Sequence, residues 1–337
     1  MKKIFFLLAL ALFLSSCGSF TSTSNSKDVN FFAGKEGLSV EFSKVAPPEN
    51  VFENSDFPIF LRVRNLGAYD IQQKSGTIAI GLEKDYVPKI KSIDQSGNVG
   101  ISGNDQILFD VKGKSQINPK GEEILVSMTA ATGKLDPQSE TKQSTMTATF
   151  CYPYKTTLST PICIDPDIAD ASASKKICKA QEMNFNSGQG APIAVTKIIQ
   201  QMVPDNDKVK PQFLIFIENI GSGSPININN YNKACTQSDD SLKNFWNVAS
   251  VKVSASNNEQ LVCCPNKDGK CAESESGVND YEGFLKFRDK KDFVRCTFKN
   301  GIPKNADAYT SPLKVEIDYG YVQTYAASFT IQKPAKF

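Results

Sequence analysis

The stretch FLRVRNLGAYD occupies residues 60–70, and LIFIENIGSGS occupies residues 214–224. From the residue just before the first stretch, Ile59, Leu61 and Val63 alternate with the charged Arg62 and Arg64. Successive side chains of a strand point to opposite faces, so a period of two builds a sheet with one apolar and one wet face and does not fit an amphipathic helix. Both runs close on Asn-x-Gly, at Asn65 and Gly67 and again at Asn219 and Gly221, and the asparagines are 154 positions apart. Glycine accepts positive φ and asparagine bonds nearby backbone, so the pair lets a strand leave its sheet sharply. That structural reading accounts for these residues without a ligand.

The rest of the chain continues the pattern. Short apolar or alternating runs stand at 37–42, 57–65, 76–82, 106–113, 122–130, 144–154 and 158–165 in the first half. They recur at 191–203, 211–219, 245–255, 260–264, 281–287, 292–298, 311–321 and 325–333 in the second. The Gly/Asn/Ser-rich stretch 94–105 reads as a long loop. Many short strands separated by turn signals, with almost no helical periodicity, predict an all-β chain of two tandem immunoglobulin-like Greek-key β-sandwiches.

A second feature repeats in the same order. Tyr152 and Tyr154, in ATFCYPYKTTLSTPICI, match Tyr319 and Tyr321, in VEIDYGYVQTYAASFTI. Each tyrosine pair shares one strand face and is expected to fix the last hairpin of its half through ring packing and hydroxyl bonds. Trp246, the sole tryptophan, lies among alternating apolar residues and is expected in the core of the second sandwich.

At the N-terminus, Lys2 and Lys3 precede an apolar run from Ile4 to Leu14. This run is about half of the roughly 20 residues that a membrane-spanning helix needs, and it reads as a secretory signal. Leu14-Ser15-Ser16-Cys17 resembles the lipobox of prokaryotic lipoproteins, which implies acylation of Cys17 and anchoring to a membrane by lipid. The following GSFTSTSNSK has the small polar composition of a flexible tether. The expected organisation is a signal peptide at 1–16, a tether at 17–36 and a first sandwich at 37–165. A disulfide-containing linker at 166–190 and a second sandwich at 191–337, with a Cys-rich insertion, complete it. The expected location is extracytoplasmic, at the membrane or cell surface.

Composition restricts the chemistry. The 38 Lys and Arg against 36 Asp and Glu give a formal charge of +2, with no long run of one sign, so nucleic acid is not an expected partner. The absence of histidine removes the usual general base and the commonest metal ligand. Ser-His-Asp, Cys-His and zincin mechanisms are therefore excluded.

Eight cysteines remain beside Cys17, an even number that in an exported chain favours disulfides. Cys163 and Cys178 enclose a short loop and are expected to pair. Cys263 and Cys264 are adjacent and point to opposite faces, so one is expected to bond inward, for instance to Cys296, and the other to Cys271 or Cys235. Cys151 has no evident mate. The spacing of the cluster does not fit paired zinc knuckles. Asp165, Asp167 and Asp170 form D-x-D-x-x-D, but the glycine and terminal glutamate of a calcium loop are missing, so a solvated acidic turn is expected. No metal and no cofactor are predicted.

The strands IFLRVRNLGAYDI and FLIFIENIGSGSPI resemble the signature strand of the immunoglobulin-like modules called cell-adhesion-related domains (CARDB). The resemblance covers about a dozen residues in each half. It implies exported or envelope-attached spacers or adhesive units. The function expected is that of a non-enzymatic surface lipoprotein binding a surface protein or glycan. The alternatives are an envelope hydrolase using paired carboxylates, with Glu316 and Asp318 as candidates, or a subunit of a surface filament or layer, for which edge strands would self-associate.

Overall fold

The computed structural model describes residues 30, 32–95, 97–102, 106–168, 176–236, 240–255, 260–264, 272–273 and 280–335. The first half contributes β1 (Leu38–Phe42), β2 (Asn50–Phe52), β3 (Asp56–Asn65), β4 (Ile71–Gly81) and β5 (Lys89–Ile93). It continues with β6 (Val99–Ser102), β7 (Gln106–Val111), β8 (Glu123–Ala131) and β9 (Thr141–Ile164). The second half contributes β10 (Met183–Asn184), β11 (Ile193–Asp205), β12 (Lys208–Asn219), β13 (Ser224–Ile226), β14 (Val248–Ala255) and β15 (Leu261–Cys264). β16 (Ala272–Glu273), β17 (Asp280–Lys286), β18 (Lys291–Phe298), β19 (Ile302–Pro303) and β20 (Tyr309–Gln332) complete it. Among the described residues the one α-helix is a single turn, Tyr231–Ala234.

The strands form an all-β sandwich architecture of three sheets. One outer sheet has the order β1-β3-β8-β5, and the other β10-β11-β12-β18-β15-β16 with β19 attached to β12. Between them runs a shared sheet, β17-β14-β20-β9-β4-β7-β6, with β2 and β13 attached to β20. Its centre is the antiparallel pair of β9 and β20, which stay in register along all 24 residues of each strand. At about 3.4 Å per residue, each strand is roughly 80 Å long. The halves are thus joined by a continuous ladder of backbone hydrogen bonds, and their arrangement is that of a pseudo-twofold pair: β1, β3 and β8 correspond to β11, β12 and β18, and β4 corresponds to β14.

Periodicity explains the local structure. In β3, Phe57, Ile59, Leu61, Val63 and Asn65 are buried, while Arg62 is exposed and Arg64 half-buried on the other face. β12 alternates in the same way through Val209, Phe213, Ile215, Ile217 and Asn219.

Three expectations are corrected. The stretches 144–154 and 158–165 are one strand, β9, and 311–321 with 325–333 are one strand, β20. Pro153 and Pro161 are tolerated inside β9 because both lie beyond Cys151, where registered pairing of β9 with β4 has ended, so on that side the missing N–H leaves no bond unmade. The tyrosines therefore fix no hairpin within a half. The stretch 94–105 is also not simply a loop, because it contains β6, paired with β7.

Candidate functional site

The two Asn-x-Gly turns and the two Tyr-x-Tyr pairs, separate in sequence, meet at the middle of the shared sheet. Register places Tyr154 opposite Tyr319, Pro153 opposite Gly320 and Tyr152 opposite Tyr321. All four tyrosines are buried. Their rings form a quadrilateral: centroids are 5.8 Å apart for Tyr152 and Tyr154, 6.1 Å for Tyr319 and Tyr321, 5.9 Å for Tyr152 and Tyr321, and 6.2 Å for Tyr154 and Tyr319. These are the separations at which tilted and edge-to-face pairs attract.

Each half ties one tyrosine to its own turn. Tyr154 Oη donates to Asn65 Oδ1 at 3.0 Å, and Tyr321 Oη donates to Asn219 Oδ1 at 2.9 Å. The same oxygens accept from the N–H of Gly67 (3.1 Å) and of Gly221 (3.3 Å). On the amide nitrogen side, Asn65 Nδ2 donates to the carbonyls of Tyr69 (2.7 Å) and Val111 (3.3 Å), and Asn219 Nδ2 to that of Gly223 (2.8 Å). Burial of a polar amide is costly unless it is bonded, and these two amides are bonded at both ends.

The other two tyrosines cross between halves. Tyr152 Oη donates to Gln323 Oε1 at 2.6 Å and accepts from Leu38 N at 3.5 Å. Thr156 Oγ1 uses its proton on the carbonyl of Ile193 (2.6 Å), so Tyr319 Oη supplies the proton of its 3.1 Å bond to Thr156, and it accepts from Ile193 N at 3.4 Å. Thr156 and Gln323 each stand four residues after the first tyrosine of their pair. That common spacing is the signal in the sequence that identifies them. Burial holds the hydroxyls of Tyr152, Tyr154, Tyr319 and Tyr321 far above the ordinary tyrosine range, so they stay protonated donors.

The glycines serve a purpose other than the expected one. Neither Gly67 nor Gly221 has positive φ. A Cβ on Gly67 would overlap the Tyr154 hydroxyl and the carbonyl oxygens of Gly190 and Glu36, and one on Gly221 would overlap the Tyr321 hydroxyl and the Pro192 ring. Glycine is required here by the close approach of the tyrosine. This constellation is a sealed structural junction, with no acid, base or nucleophile free to react.

Trp246 is half-buried at an isolated bridge to Ile226, ahead of β14, and is not the centre of a core. The tyrosine quartet, contributed by both halves, takes that central place.

Three described disulfides staple the assembly. Cys163 is bonded to Cys178, closing a separation of 15 residues at the end of β9. Cys263 is bonded to Cys296 across the registered pair of β15 and β18. Cys151 is bonded to Cys235, which follows the helical turn, across 84 residues, so this bridge joins the halves. The sequence leaves Cys151 unpaired because nothing local says that the Tyr231–Ala234 turn packs on β9. Cys264 is disulfide-bonded too. Cys17, Asp170 and Cys271 lie outside the described residues.

The acidic residues are held in ion pairs. Asp165 is buried and lies 3.0 Å from Lys176 Nζ, which is 3.6 Å from Asp167. Glu316 and Asp318 share one face of β20 and contact Lys155 at 3.8 and 3.2 Å, with Lys314 also 3.1 Å from Glu316. Among the described residues, no group of three or more Cys, Asp or Glu side chains is placed to hold a metal.

No family model matches the chain, and no curated protein matches it. Among solved structures it is similar to a partial N-terminal region of an Enterococcal surface protein, at 6% identity over 90% of this chain and 95% of that one, with a TM-score of 0.19. It is also similar to the B domain of a biofilm associated protein, at 10% identity over 86% and 73% of the two chains and a TM-score of 0.16. A structure described as manganese lipoxygenase of Gaeumannomyces graminis with a partial zonadhesin of Komagataella pastoris matches at 8% identity over 89% and 93%, with a TM-score of 0.12. TM-scores this low carry no argument, and the all-β reading rests on the strands themselves.

Proposed function

We propose that the chain is an exported, non-enzymatic surface protein, anchored by lipid at Cys17, whose joined sandwiches hold a binding surface for a glycan or a surface protein away from the membrane. The observation that carries this reading is the oxidised state of the described cysteines, Cys151, Cys163, Cys178, Cys235, Cys263, Cys264 and Cys296. Disulfides in such number persist in oxidising compartments. The lipobox-like Leu14-Ser15-Ser16-Cys17 and the immunoglobulin-like strand signatures support the anchoring and the module type. The absence of histidine and the ion-paired state of Glu316 and Asp318 weigh against the hydrolase alternative.

The test is expression in a bacterial host supplied with radiolabelled palmitate, comparing the native chain with Cys17→Ser. Label in the native chain, none in the variant, and surface accessibility on intact cells are expected. Equal label in both, or free thiols at the described cysteines of unreduced material, overturns the reading.

A further inference from the structure

On the side away from β9, β20 is paired with β14 along 313–318, with β13 along 320–322 and with β2 along 330–332. Among the described residues, no strand and no backbone hydrogen bond reaches that side of β20 from Thr324 to Ser328. Thr330 N donates outward to the carbonyl of Glu49 at 2.8 Å, and the Gln332 carbonyl accepts from Glu53 N at 3.0 Å. The register with β9 is unbroken, so backbone direction alternates, and Thr324, Ala326 and Ser328 also aim N–H and C=O away from β9. All three side chains are exposed, and the hydroxyls of Thr324 and Ser328 bond Thr149 and Thr145 on the sheet face, at 3.0 and 3.1 Å. The outward backbone groups of this stretch are therefore left to whatever comes alongside.

The pseudo-twofold that matches Tyr154 with Tyr321 matches Thr324, Ala326 and Ser328 with Thr157, Ser159 and Pro161 of β9. There the edge is blunted. Pro161 has no N–H to offer, the N–H of Cys163 is taken by Gln200 Oε1 at 2.8 Å, and the Cys163–Cys178 bridge closes the end of the strand. From Gln323 to Phe329, by contrast, the sequence holds no proline and no charged residue. Proteins commonly guard an edge with exactly those residues, so an edge that lacks them, on a fold that guards its counterpart, points to use of the open one.

The opening is about five residues, or roughly 17 Å, long, and β13 and β2 bound it within the sheet. A second copy cannot seat its own β20 there, because that strand has 24 residues and would run into both. A short extended segment whose flanks leave the sheet plane does fit. Its inward side chains would meet the half-buried Tyr325 and Ala327, and nothing along Gln323–Phe329 compensates a charge, so the matching segment is uncharged and apolar at alternate positions. We propose that the Thr324–Ser328 edge captures such a segment of a partner surface protein by strand addition, with main-chain bonds supplying the affinity. The proposal rests on the surface role above and names the partner chemistry for it.

The experiment selects a phage-displayed library of random heptapeptides on the full chain in detergent micelles and titrates the enriched peptides by calorimetry. Uncharged sequences with alternate apolar residues are expected. Ala326→Pro removes an outward N–H without touching the ladder to β9, and should weaken their binding about tenfold or more. Ser159→Pro, at the matching position of β9, should leave binding unchanged. Methylating the peptide backbone nitrogens one at a time should block binding at every second residue and spare the others, a pattern that holds even if the proline variant fails to fold. A native circular dichroism spectrum and a cooperative urea transition certify each variant. No enrichment, equal binding by the Ala326→Pro chain, or indifference to methylation at every position overturns the proposal. So does a concentration-dependent dimer that Ala326→Pro dissolves, which would assign the edge to a second copy. Failure here with Cys17 acylation intact leaves the surface role standing, whereas peptide capture without acylation removes only the anchor.

Discussion

Tyr321 donates its hydroxyl proton to Asn219 at 2.9 Å, although the two residues are 102 positions apart and lie on different sheets. Tyr154 and Asn65 make the same bond at 3.0 Å in the first half. Two copies of one polar latch, set side by side, hold the outer sheets to the strand pair that the halves share.

The latch separates two effects that can be measured by urea unfolding. Tyr154→Phe removes one donor while Asn65 Oδ1 keeps the bond from Gly67 N, and should cost roughly 1 kcal/mol. Asn65→Ala removes all four bonds of the amide and leaves buried partners unmatched, so a loss of roughly 3 kcal/mol is expected. Equal costs for the two variants would show that the amide contributes nothing beyond its tyrosine bond.

Gly67→Ala tests steric fit against backbone freedom. A methyl group there meets the Tyr154 hydroxyl and two backbone oxygens, so destabilisation of about 2 kcal/mol or more is expected. Gly97, by contrast, has φ of +60° and nothing within 4 Å of an added Cβ. Gly97→Ala should cost about 1 kcal/mol, from the left-handed backbone alone. A reversed order, read from chemical denaturation, would contradict the close-approach argument.

Removing the bridge between the halves should matter most among the described disulfides. In the chain-entropy model a crosslink closing 84 residues stabilises by about 4.5 kcal/mol and one closing 15 residues by about 3 kcal/mol. Cys151→Ala with Cys235→Ala should therefore lower the urea midpoint further than Cys163→Ala with Cys178→Ala.

The buried tyrosines predict the alkaline limit of the fold. Burial raises all four quartet hydroxyls, and Tyr325 is pushed up to about 12, by burial first and then by Glu36. An unfolded tyrosine titrates near about 10, so the unfolded chain releases protons above that pH while the folded chain retains them. The stabilisation is fully present below about pH 10 and is lost as pH rises toward the folded values. Absorbance at the tyrosinate band should rise for the buried rings together with loss of the β circular dichroism signal. Titration of all ten tyrosines near their ordinary value in a still-folded chain would contradict the quartet's burial.

What could be read beforehand followed the range of each interaction. The alternation of Ile59, Leu61 and Val63 with Arg62 and Arg64 is a relation between i and i+2, and it identified the strand and its buried face directly. The bond from Gly67 N to Asn65 Oδ1 spans two residues and was equally legible. The Cys151–Cys235 bridge and the crossing bonds of Tyr152 and Tyr319 were not, because each depends on which distant strands become neighbours.

The sequence by itself determined that this chain is built of strands and that an Asn-x-Gly turn closes one alternating strand in each half, since backbone sterics and side-chain alternation act between near neighbours. Only the tertiary structure decided that the last strands of the two halves run past each other for 24 residues. It also decided that the two glycines make room for tyrosines. The first depends on register between β9 and β20, more than a hundred residues apart, and the second on packing between turns and strands 87 and 100 residues apart, where no local pattern records the partner.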